Sequence, residues 1–362
     1  MDLSLDESQE ILVNTFSELL EQECPITLVR NSEQSGFSAG LWSRYCEMGA
    51  NAMGLPESAG GLGMSLLELG LVAAHSGGAL APVPFVEVAT AGRLLAALDA
   101  QDTLVSEIAK GTALVSLSLP RPHPVTGTGP SKASRTLVPF GSVVDQVVTF
   151  EGDELFLVSG APQRRSPRVL DTGSGALAHW DLSKTEGSDC RSLANGITAR
   201  RVSARATAEW KLLTAFWLVG LAKRALAIGA EYARERIQFG VPIGGFQAIA
   251  HPLAECATRV DGAELLAWEA AWADSEEPER FEALASMAFV WASQTALRTA
   301  DVSLHTHGGY GFSEEYDIQL YYRRAAALPS VAGGPREELQ SVAELCFDTD
   351  ASACGEARVR GA

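Results

Sequence analysis

The sequence RERIQFGVPIGGFQ, residues 234–247, interrupts a long helical pattern and decides how the C-terminal part of the chain folds. Gly240 and Pro242 end one predicted helix, and a second helix restarts at Phe246 and Gln247. Before the break, apolar residues step by three, four or seven, at Leu212, Phe216, Val219, Ala222, Leu226 and Ala233. After it they alternate three and four, at Phe246, Ile249, Leu253, Cys256, Val260 and Ala263. Two long amphipathic helices are therefore predicted on either side of this turn.

A third stripe of the same kind runs through Phe281, Leu284, Ala288 and Trp291. Near-heptad stripes on long helices are typical of an antiparallel bundle or of a seam between subunits. We therefore predict a four-helix C-terminal domain over residues 207–349. The small and polar residues 350–362 are predicted to form a flexible tail.

Helical spacing also runs through residues 1–111, which we predict to form an all-helical N-terminal domain. Three glycines among residues 60–63 forbid a stable helix at that point. The apolar positions that carry the pattern are Leu12, Phe16 and Leu19, then Trp42 and Tyr45, then Leu66, Leu69 and Val72.

Residues 112–206 have a different sequence pattern, because prolines break any helix there and short runs of β-forming residues lie between them. These prolines are Pro120, Pro122, Pro124, Pro130, Pro162 and Pro167. Val143–Phe150, Leu155–Val158 and Ile197–Val202 are predicted strands of a small sheet or barrel. The expected fold class is mainly α with a central β domain.

Composition narrows the function classes. The chain has 362 residues, of which 46% are hydrophobic, so it can bury a large core. Its net charge of −17 would repel a phosphate backbone, so no nucleic-acid partner is expected. The N-terminus is acidic and no apolar run reaches the ~18 residues of a membrane span, which predicts a cytoplasmic protein with no membrane insertion. Six cysteines without a CxxC pair predict reduced thiols.

The turn at residues 234–247 has the chemistry of a nucleotide site. An arginine at a helix end, such as Arg236, can hold a pyrophosphate bidentately, and an aromatic residue one turn away can cover a heterocycle. The alternative is a helical hairpin with solvated arginines, and spacing alone leaves it open.

A second segment, HTHGGYGF at residues 305–312, follows a long helix. Three glycines in four positions let the backbone approach a ligand and direct amide groups at phosphate or carbonyl oxygens. A tight interhelical turn is the alternative. No third ligand of suitable spacing follows His305 and His307, so no metal site is expected.

In this order and separation, the two segments resemble the motifs of the acyl-CoA dehydrogenase family of flavoproteins, in particular its smaller actinobacterial-type members. Residues 236–247, residues 307–312 and LYYRRA at 320–325 carry the resemblance in the C-terminal part. In the N-terminal part, LPESAGGLG at 55–63 and APVPF at 81–85 are similar to the matching motifs.

The resemblance implies three domains, helical, β and four-helix, assembled as a dimer or a dimer of dimers. It implies FAD between the β domain and the C-terminal helices of two subunits. On this pattern Arg236 holds the FAD pyrophosphate, Phe239 lies near the adenosine half and Gln247 contacts the cofactor. The resemblance also assigns to the cofactor site Gln238 and a loop that reaches FAD across the subunit interface, formed by His305, Thr306, His307, Gly308 and Gly309.

The implied chemistry is α,β-dehydrogenation of an acyl thioester, in which a carboxylate removes the α-proton while a hydride passes to the flavin. The α-proton is weakly acidic, so the base must be desolvated. In many members this base is a glutamate ten residues beyond the position of Tyr322, where this chain has Ala332. A second family solution falls on Trp210, and Glu209 beside it is the predicted base. The alternative for Glu209 is a solvated glutamate at a helix start.

Three functions remain open. The first is an FAD-dependent dehydrogenase acting on acyl-CoA or an acyl-carrier protein, with a relocated base. The second is a subunit without a base that binds FAD at a shared interface and supports an active partner. The third is a family member that uses the flavin for other chemistry. A homo- or hetero-oligomer is expected, and an electron-transfer protein is a candidate partner.

Overall fold

The structure is a computed structural model that describes residues 4–99, 101–119, 135–151, 153–160, 165–182 and 189–348. The predicted tail at 350–362 and the predicted helix breakers Pro120, Pro122, Pro124, Pro130 and Pro162 lie outside these ranges. The described α-helices are α1 Glu7–Glu23, α2 Ile26–Asn31, α3 Ala39–Glu47, α4 Leu66–Gly78, α5 Phe85–Leu98, α6 Thr103–Ala109, α7 Gly196–Glu235, α8 Gln247–Glu276, α9 Phe281–Thr306, α10 Ile318–Ala327 and α11 Pro335–Ala343. The described strands are β1 Val115–Leu117, β2 Arg135–Val138, β3 Gln146–Glu151, β4 Glu154–Ser159, β5 Arg165–Arg168, β6 Ala178–Asp181, β7 Cys190–Asn195, β8 Ile237–Gln238 and β9 Val241–Pro242.

The N-terminal helices begin at side-chain caps that also join two of them. Asp6 caps α1 by accepting a hydrogen bond from the Gln9 amide at 2.8 Å, and Ser65 caps α4 together with Glu68. The Gln9 side chain donates to Glu68 at 2.7 Å, so the two capping boxes are in contact. Such caps satisfy amide groups that a helix start leaves free. The helical interpretation of this region is confirmed.

The β region consists of two small sheets. One has the strand order β1-β3-β4-β7, with β1 and β3 parallel, and the other has the order β2-β6-β5. Trp180 lies fully buried among valines from both sheets and its indole donates to the Gly141 carbonyl at 2.7 Å. The strand predicted at Leu155–Val158 lies within β4 and is confirmed. The strand predicted from Val143 starts only at Gln146, because residues 141–143 form a turn after Phe140, which has φ +52°.

The strand predicted at Ile197–Val202 is wrong, because α7 includes the whole run. Gly196, with φ +57°, turns the chain from β7 into the helix. Ala199 and Ala206, two helical turns apart, are both buried, whereas the β-branched Ile197 is 78% exposed. Packing of the small face therefore overrides local β propensity. The predicted domain limit at 206/207 falls inside α7, and the domain limits stay a prediction.

Helix α7 is the central element of the helical part. It packs against α4, α5, α8, α9 and α10. Its most apolar stretch is long enough to cross a membrane, but 67% of that stretch is buried inside the protein. The apolar surface of α7 is thus used by the core, which joins the N-terminal helices to the C-terminal ones.

The crossing of α4 and α7 depends on two glycines. A Cβ atom at Gly220 would lie 1.8 Å from the Ala74 carbonyl oxygen, and one at Gly77 would lie 1.8 Å from the Trp217 carbonyl oxygen. Both contacts are with backbone, so the helices themselves would have to separate.

We expect Gly220→Ala to lower the free energy of unfolding by about 1–3 kcal/mol, the usual cost of overpacking. Gly262→Ala on α8 is the matched control, because the nearest atom to its Cβ would be the Trp291 indole nitrogen at 3.7 Å. That change should be neutral or stabilising, since alanine favours a helix interior. Urea denaturation of both variants measures the difference, and equal effects would contradict this account of the crossing.

Candidate functional site

The segment after α7 forms a tight hairpin of β8 and β9. Its two turn residues, Phe239 and Gly240, have φ values of +53° and +83°, as a two-residue hairpin turn requires. The Arg236 carbonyl accepts a hydrogen bond from the Ile243 amide at 2.8 Å, which closes the base of the hairpin. Phe239 is 92% exposed and contacts the Phe246 ring edge-on. The hairpin thus exposes the aromatic ring of Phe239 on the surface of the chain.

The glycine segment lies against the same hairpin. After α9 ends, residues Gly308–Phe312 form a short 3-10 turn, with Gly308 at φ +62°. The His307 ring stacks on Tyr232 of α7 with 4.1 Å between centroids, and the Arg236 guanidinium lies 6.0 Å from the Tyr310 ring. The two motifs, about 70 positions apart in sequence, therefore share one surface.

This surface has the properties of an anion site next to an apolar contact. Arg236 is exposed and, within the described residues, no carboxylate lies at ion-pair distance from it. Exposed apolar side chains lie on the same hairpin, at the start of α8 and on the glycine segment, and clusters of this kind on a surface mark contacts with ligands or partners. They are Ile237, Phe239, Val241, Phe246, Tyr310 and Phe312. The residues present fit a dinucleotide cofactor, with a free guanidinium for its pyrophosphate and aromatic faces for its ring.

The other predicted cofactor residues differ in whether their side chains are free to bind a ligand. Gln247 at the start of α8 and His305 near the end of α9 are exposed and available. The Gln238 amide is exposed but donates to the carbonyl of Ile237 at 2.7 Å.

Thr306 and His307, which also belong to the predicted cofactor loop, have side chains that are hydrogen-bonded within this chain. The Thr306 hydroxyl is buried and donates to the Val302 carbonyl at 2.8 Å. The His307 ring is buried, with Nδ1 2.7 Å from the Ser303 carbonyl, and burial lowers its pKa. Both side chains are used inside the bundle, so only their backbone or the neighbouring glycines can face a cofactor.

Gly309 offers a test that separates a cofactor contact from a turn. A Cβ atom there would meet no atom of this chain within 4 Å, and its φ is not positive. We expect Gly309→Val to leave the free energy of unfolding unchanged within about 0.5 kcal/mol but to weaken FAD binding at least tenfold. Flavin fluorescence titration of the assembled protein measures the affinity. Normal FAD binding by the variant would make the segment a simple turn.

An apolar cavity lies where the three parts of the chain meet. It encloses about 860 Å³ of non-atom space, including its open mouth. Its wall is formed by the α4–α5 connection, the start of α5, one face of α7, a loop of the β region and the end of α10. Residues from these elements include Val83, Phe85, Trp217, Leu177 and Val331. The apolar lining of this cavity suits an acyl chain.

Ala332, the position at which the resemblance would place a base, is buried and directly follows Val331, which lines the cavity. An alanine methyl group cannot accept a proton, so Ala332 itself cannot act as a base.

The structure places Glu209, the predicted base, between two arginines. Glu209 is 4% exposed and does not line the cavity. Arg93 binds its carboxylate bidentately, with distances of 2.8 and 3.0 Å, and the Arg205 Nε donates to it at 2.8 Å. Burial opposes ionisation, but the two guanidinium groups hold the pKa of Glu209 below its usual range. A carboxylate clamped by two cations is a weak proton acceptor.

A second buried carboxyl group, Glu87, was not predicted from the sequence as a site residue. It lies in the first turn of α5, is 5% exposed and lines the cavity. The Trp210 indole donates to its Oε1 at 3.3 Å, and burial raises the pKa of Glu87 to about 7. The available signal was a lone glutamate inside the apolar run FVEVATAG, residues 85–92. A perturbed carboxyl in a cavity is a candidate functional group.

Comparison with known proteins decides the family. Residues 6–100 match the family described as Acyl-CoA dehydrogenase, N-terminal domain, and residues 201–343 match Acyl-CoA dehydrogenase, C-terminal domain. The chain belongs to the acyl-CoA dehydrogenase family. Members of this family are FAD-dependent flavoproteins and oxidoreductases, and the predicted resemblance is confirmed.

This acyl-CoA dehydrogenase family member is 28% identical to Acyl-CoA dehydrogenase FadE27 of Mycobacterium tuberculosis, over 97% of this chain and 100% of the relative. It is also 28% identical to Acyl-CoA dehydrogenase IpdE2 of Mycolicibacterium smegmatis, over 95% of this chain and 100% of that protein. A chain of the ChsE4-ChsE5 complex from Mycobacterium tuberculosis superposes with a TM-score of 0.83 at 26% identity, over 96% of this chain and 99% of that one. The predicted mainly helical fold with a small sheet region and C-terminal helices is confirmed.

Proposed function

We propose that this chain is a subunit of an FAD-dependent dehydrogenase that forms a Cα=Cβ double bond in an acyl thioester. The observation that carries the proposal is the apolar cavity that contains Val331 and Glu87 in its wall. Its lining excludes water from an acyl chain, which a carbon acid needs in order to lose a proton at neutral pH. The acyl group is carried on coenzyme A or on an acyl-carrier protein.

FAD, when bound, supplies the hydride acceptor. In this chain Arg236 would hold its pyrophosphate, and Phe239 would cover the adenosine half. Gln247, His305 and the backbone at Gly308 and Gly309 would complete the contact, which extends to a neighbouring subunit. The exposed apolar surface around the hairpin supports an assembly in which that face is covered. The protein then acts in the cytoplasm as an oligomer, and an electron-transfer protein reoxidises the flavin.

A second candidate is a subunit that completes the FAD site of a partner chain carrying the base. Ala332 favours it, because the usual carboxylate is absent. The structural relative ChsE4-ChsE5, which its name describes as a complex of two proteins, supports a hetero-oligomer for this chain as well.

The test is to purify the chain alone and with the protein encoded by its genomic neighbour, and to record flavin absorbance with a panel of acyl thioesters. We expect bleaching of the flavin by at least one thioester. Bleaching that requires the partner and persists when every carboxylate in this chain's cavity is replaced would favour the supporting-subunit role. No bleaching with any thioester or partner would contradict the proposed dehydrogenase.

A further inference from the structure

The cavity contains two described carboxyl groups, Glu87 and Asp171, and only one is free to act on a substrate. Asp171 accepts hydrogen bonds from the amides of Gly173 and Gly175, at 3.1 and 2.8 Å, and thereby holds its own loop. Glu87 accepts one long hydrogen bond from Trp210 and belongs to no ion pair within the described residues. The carboxyl group of Glu87 is therefore the uncommitted one.

Glu87 is related to both positions at which the resemblance places a base. It lines the same cavity as Val331, the residue next to Ala332 in sequence. The Glu87 carboxyl group on α5 also contacts the indole of Trp210, the residue at the second position that the resemblance indicates for a base.

We infer that Glu87 is the proton acceptor for the acyl group bound in this cavity, an inference that rests on the proposed function. The Cα–H bond of the acyl thioester breaks and its proton passes to a Glu87 carboxylate oxygen. The electron pair left on Cα forms the Cα=Cβ bond as the hydrogen on Cβ leaves with its two electrons to FAD. One proton, one hydride and one double bond balance the step.

The surroundings of Glu87 agree with this role. Burial raises the pKa of Glu87 to about 7, even though its backbone hydrogen bond and the Trp210 hydrogen bond act in the opposite direction. The other charged groups on the cavity wall are Asp171 and Arg324, and Arg324 is directed to the Leu320 carbonyl and to Glu33. A desolvated carboxylate with this pKa is a far stronger base than an exposed one and is ionised above neutral pH.

The test is Glu87→Gln in the FAD-containing assembly, with the partner chain if the partner is required. We expect flavin bleaching by the substrate to slow by 100-fold or more, while the FAD content and the Kd of the acyl thioester change less than threefold. Glu87→Asp should keep measurable bleaching with a pH profile of the same shape. Glu18→Gln on the exposed face of α1 is the control and should bleach like the wild type.

A second readout does not depend on turnover. Infrared spectra of the protein recorded across pH 5–9 should contain a carboxylic acid C=O band that disappears as the pH rises through about 7 and is absent in Glu87→Gln. Trp210→Phe removes the indole donor and should move this midpoint upward, because the ionised form loses a hydrogen bond.

The outcomes are distinguishable. Wild-type bleaching that Glu87→Gln retains would overturn the inference and leave the proposed function standing. A variant that changes only the Kd or the preference among acyl groups would also overturn it, because Glu87 would then select substrates. Absence of bleaching in the wild type with every thioester and partner would overturn both.

Discussion

We expect Glu209→Gln to lower the free energy of unfolding by about 2–4 kcal/mol at pH 7, because the Glu209 carboxylate accepts hydrogen bonds from two partly buried arginine side chains. Arg93 and Arg205 lose their shared anion, and glutamine offers one acceptor oxygen where three hydrogen bonds ended. Breaking a buried pair costs 3–5 kcal/mol, and the value here is lower because both guanidinium groups reach solvent. Urea denaturation measures the effect.

The stability difference between the wild type and Glu209→Gln should depend on pH. Because the pKa of Glu209 is lowered on folding, its contribution to stability is fully present above the ordinary value of 4.5 and is lost as the pH falls through the folded value. The wild type and Glu209→Gln should therefore converge in acid. Glu264→Gln, which breaks the exposed ion pair with Lys223, is the control and should cost less than about 1 kcal/mol.

Glu87→Gln should behave in the opposite way. The pKa of Glu87 is raised on folding to about 7. Its contribution to stability is therefore fully present below 4.5 and is lost as the pH rises through about 7. At pH 8 the variant should be more stable than the wild type by up to about 3 kcal/mol, and at pH 4 the two should be equal. Equal responses of Glu87→Gln and Glu209→Gln to pH would contradict the opposite environments assigned to these carboxyl groups.

Arg236→Ala should weaken FAD binding by about 100- to 1,000-fold and leave the chain folded. The guanidinium would make charge-assisted, bidentate hydrogen bonds to the pyrophosphate, each of about 1.5–3 kcal/mol, which alanine cannot replace. Its exposure, without an ion pair in the described part of the chain, means that the fold loses little. The flavin-to-protein ratio after gel filtration and a fluorescence titration measure the affinity.

Arg234→Ala is the matched control for that variant. Arg234 is also exposed, but it lies in the last turn of α7, whereas Arg236 follows the helix in an extended conformation at the base of the hairpin. We expect its FAD affinity to change less than threefold. Stoichiometric FAD in a well-folded Arg236→Ala protein would remove Arg236 from the cofactor site.

Helices were predictable where their period was long enough to show which face is buried. The stripes around Phe216, Leu253 and Leu284 predicted α7, α8 and α9 without any tertiary information, because each repeats over several turns. The run Ile197–Val202 covers less than two turns, so its β-branched residues outweighed the period, and only its continuity with α7 reveals a helix. The sheets were partly predictable, since β4 alternates clearly, whereas the start of β3 depends on the turn at Phe140.

The predicted cofactor motifs and the buried carboxyl groups also differ in how far their surroundings are encoded locally in the sequence. Arg236, Phe239 and Gly308 lie in short contiguous motifs whose local geometry, a two-residue hairpin and a 3-10 turn, is encoded nearby. The sequence by itself therefore determined the family and predicted the cofactor motifs. The roles of Glu209 and Glu87 depend on partners 116 and 123 positions away, Arg93 and Trp210. Only the tertiary structure decided which carboxylate is bound by two cations and which is buried without one, because a pKa is set by the groups that surround a side chain in space.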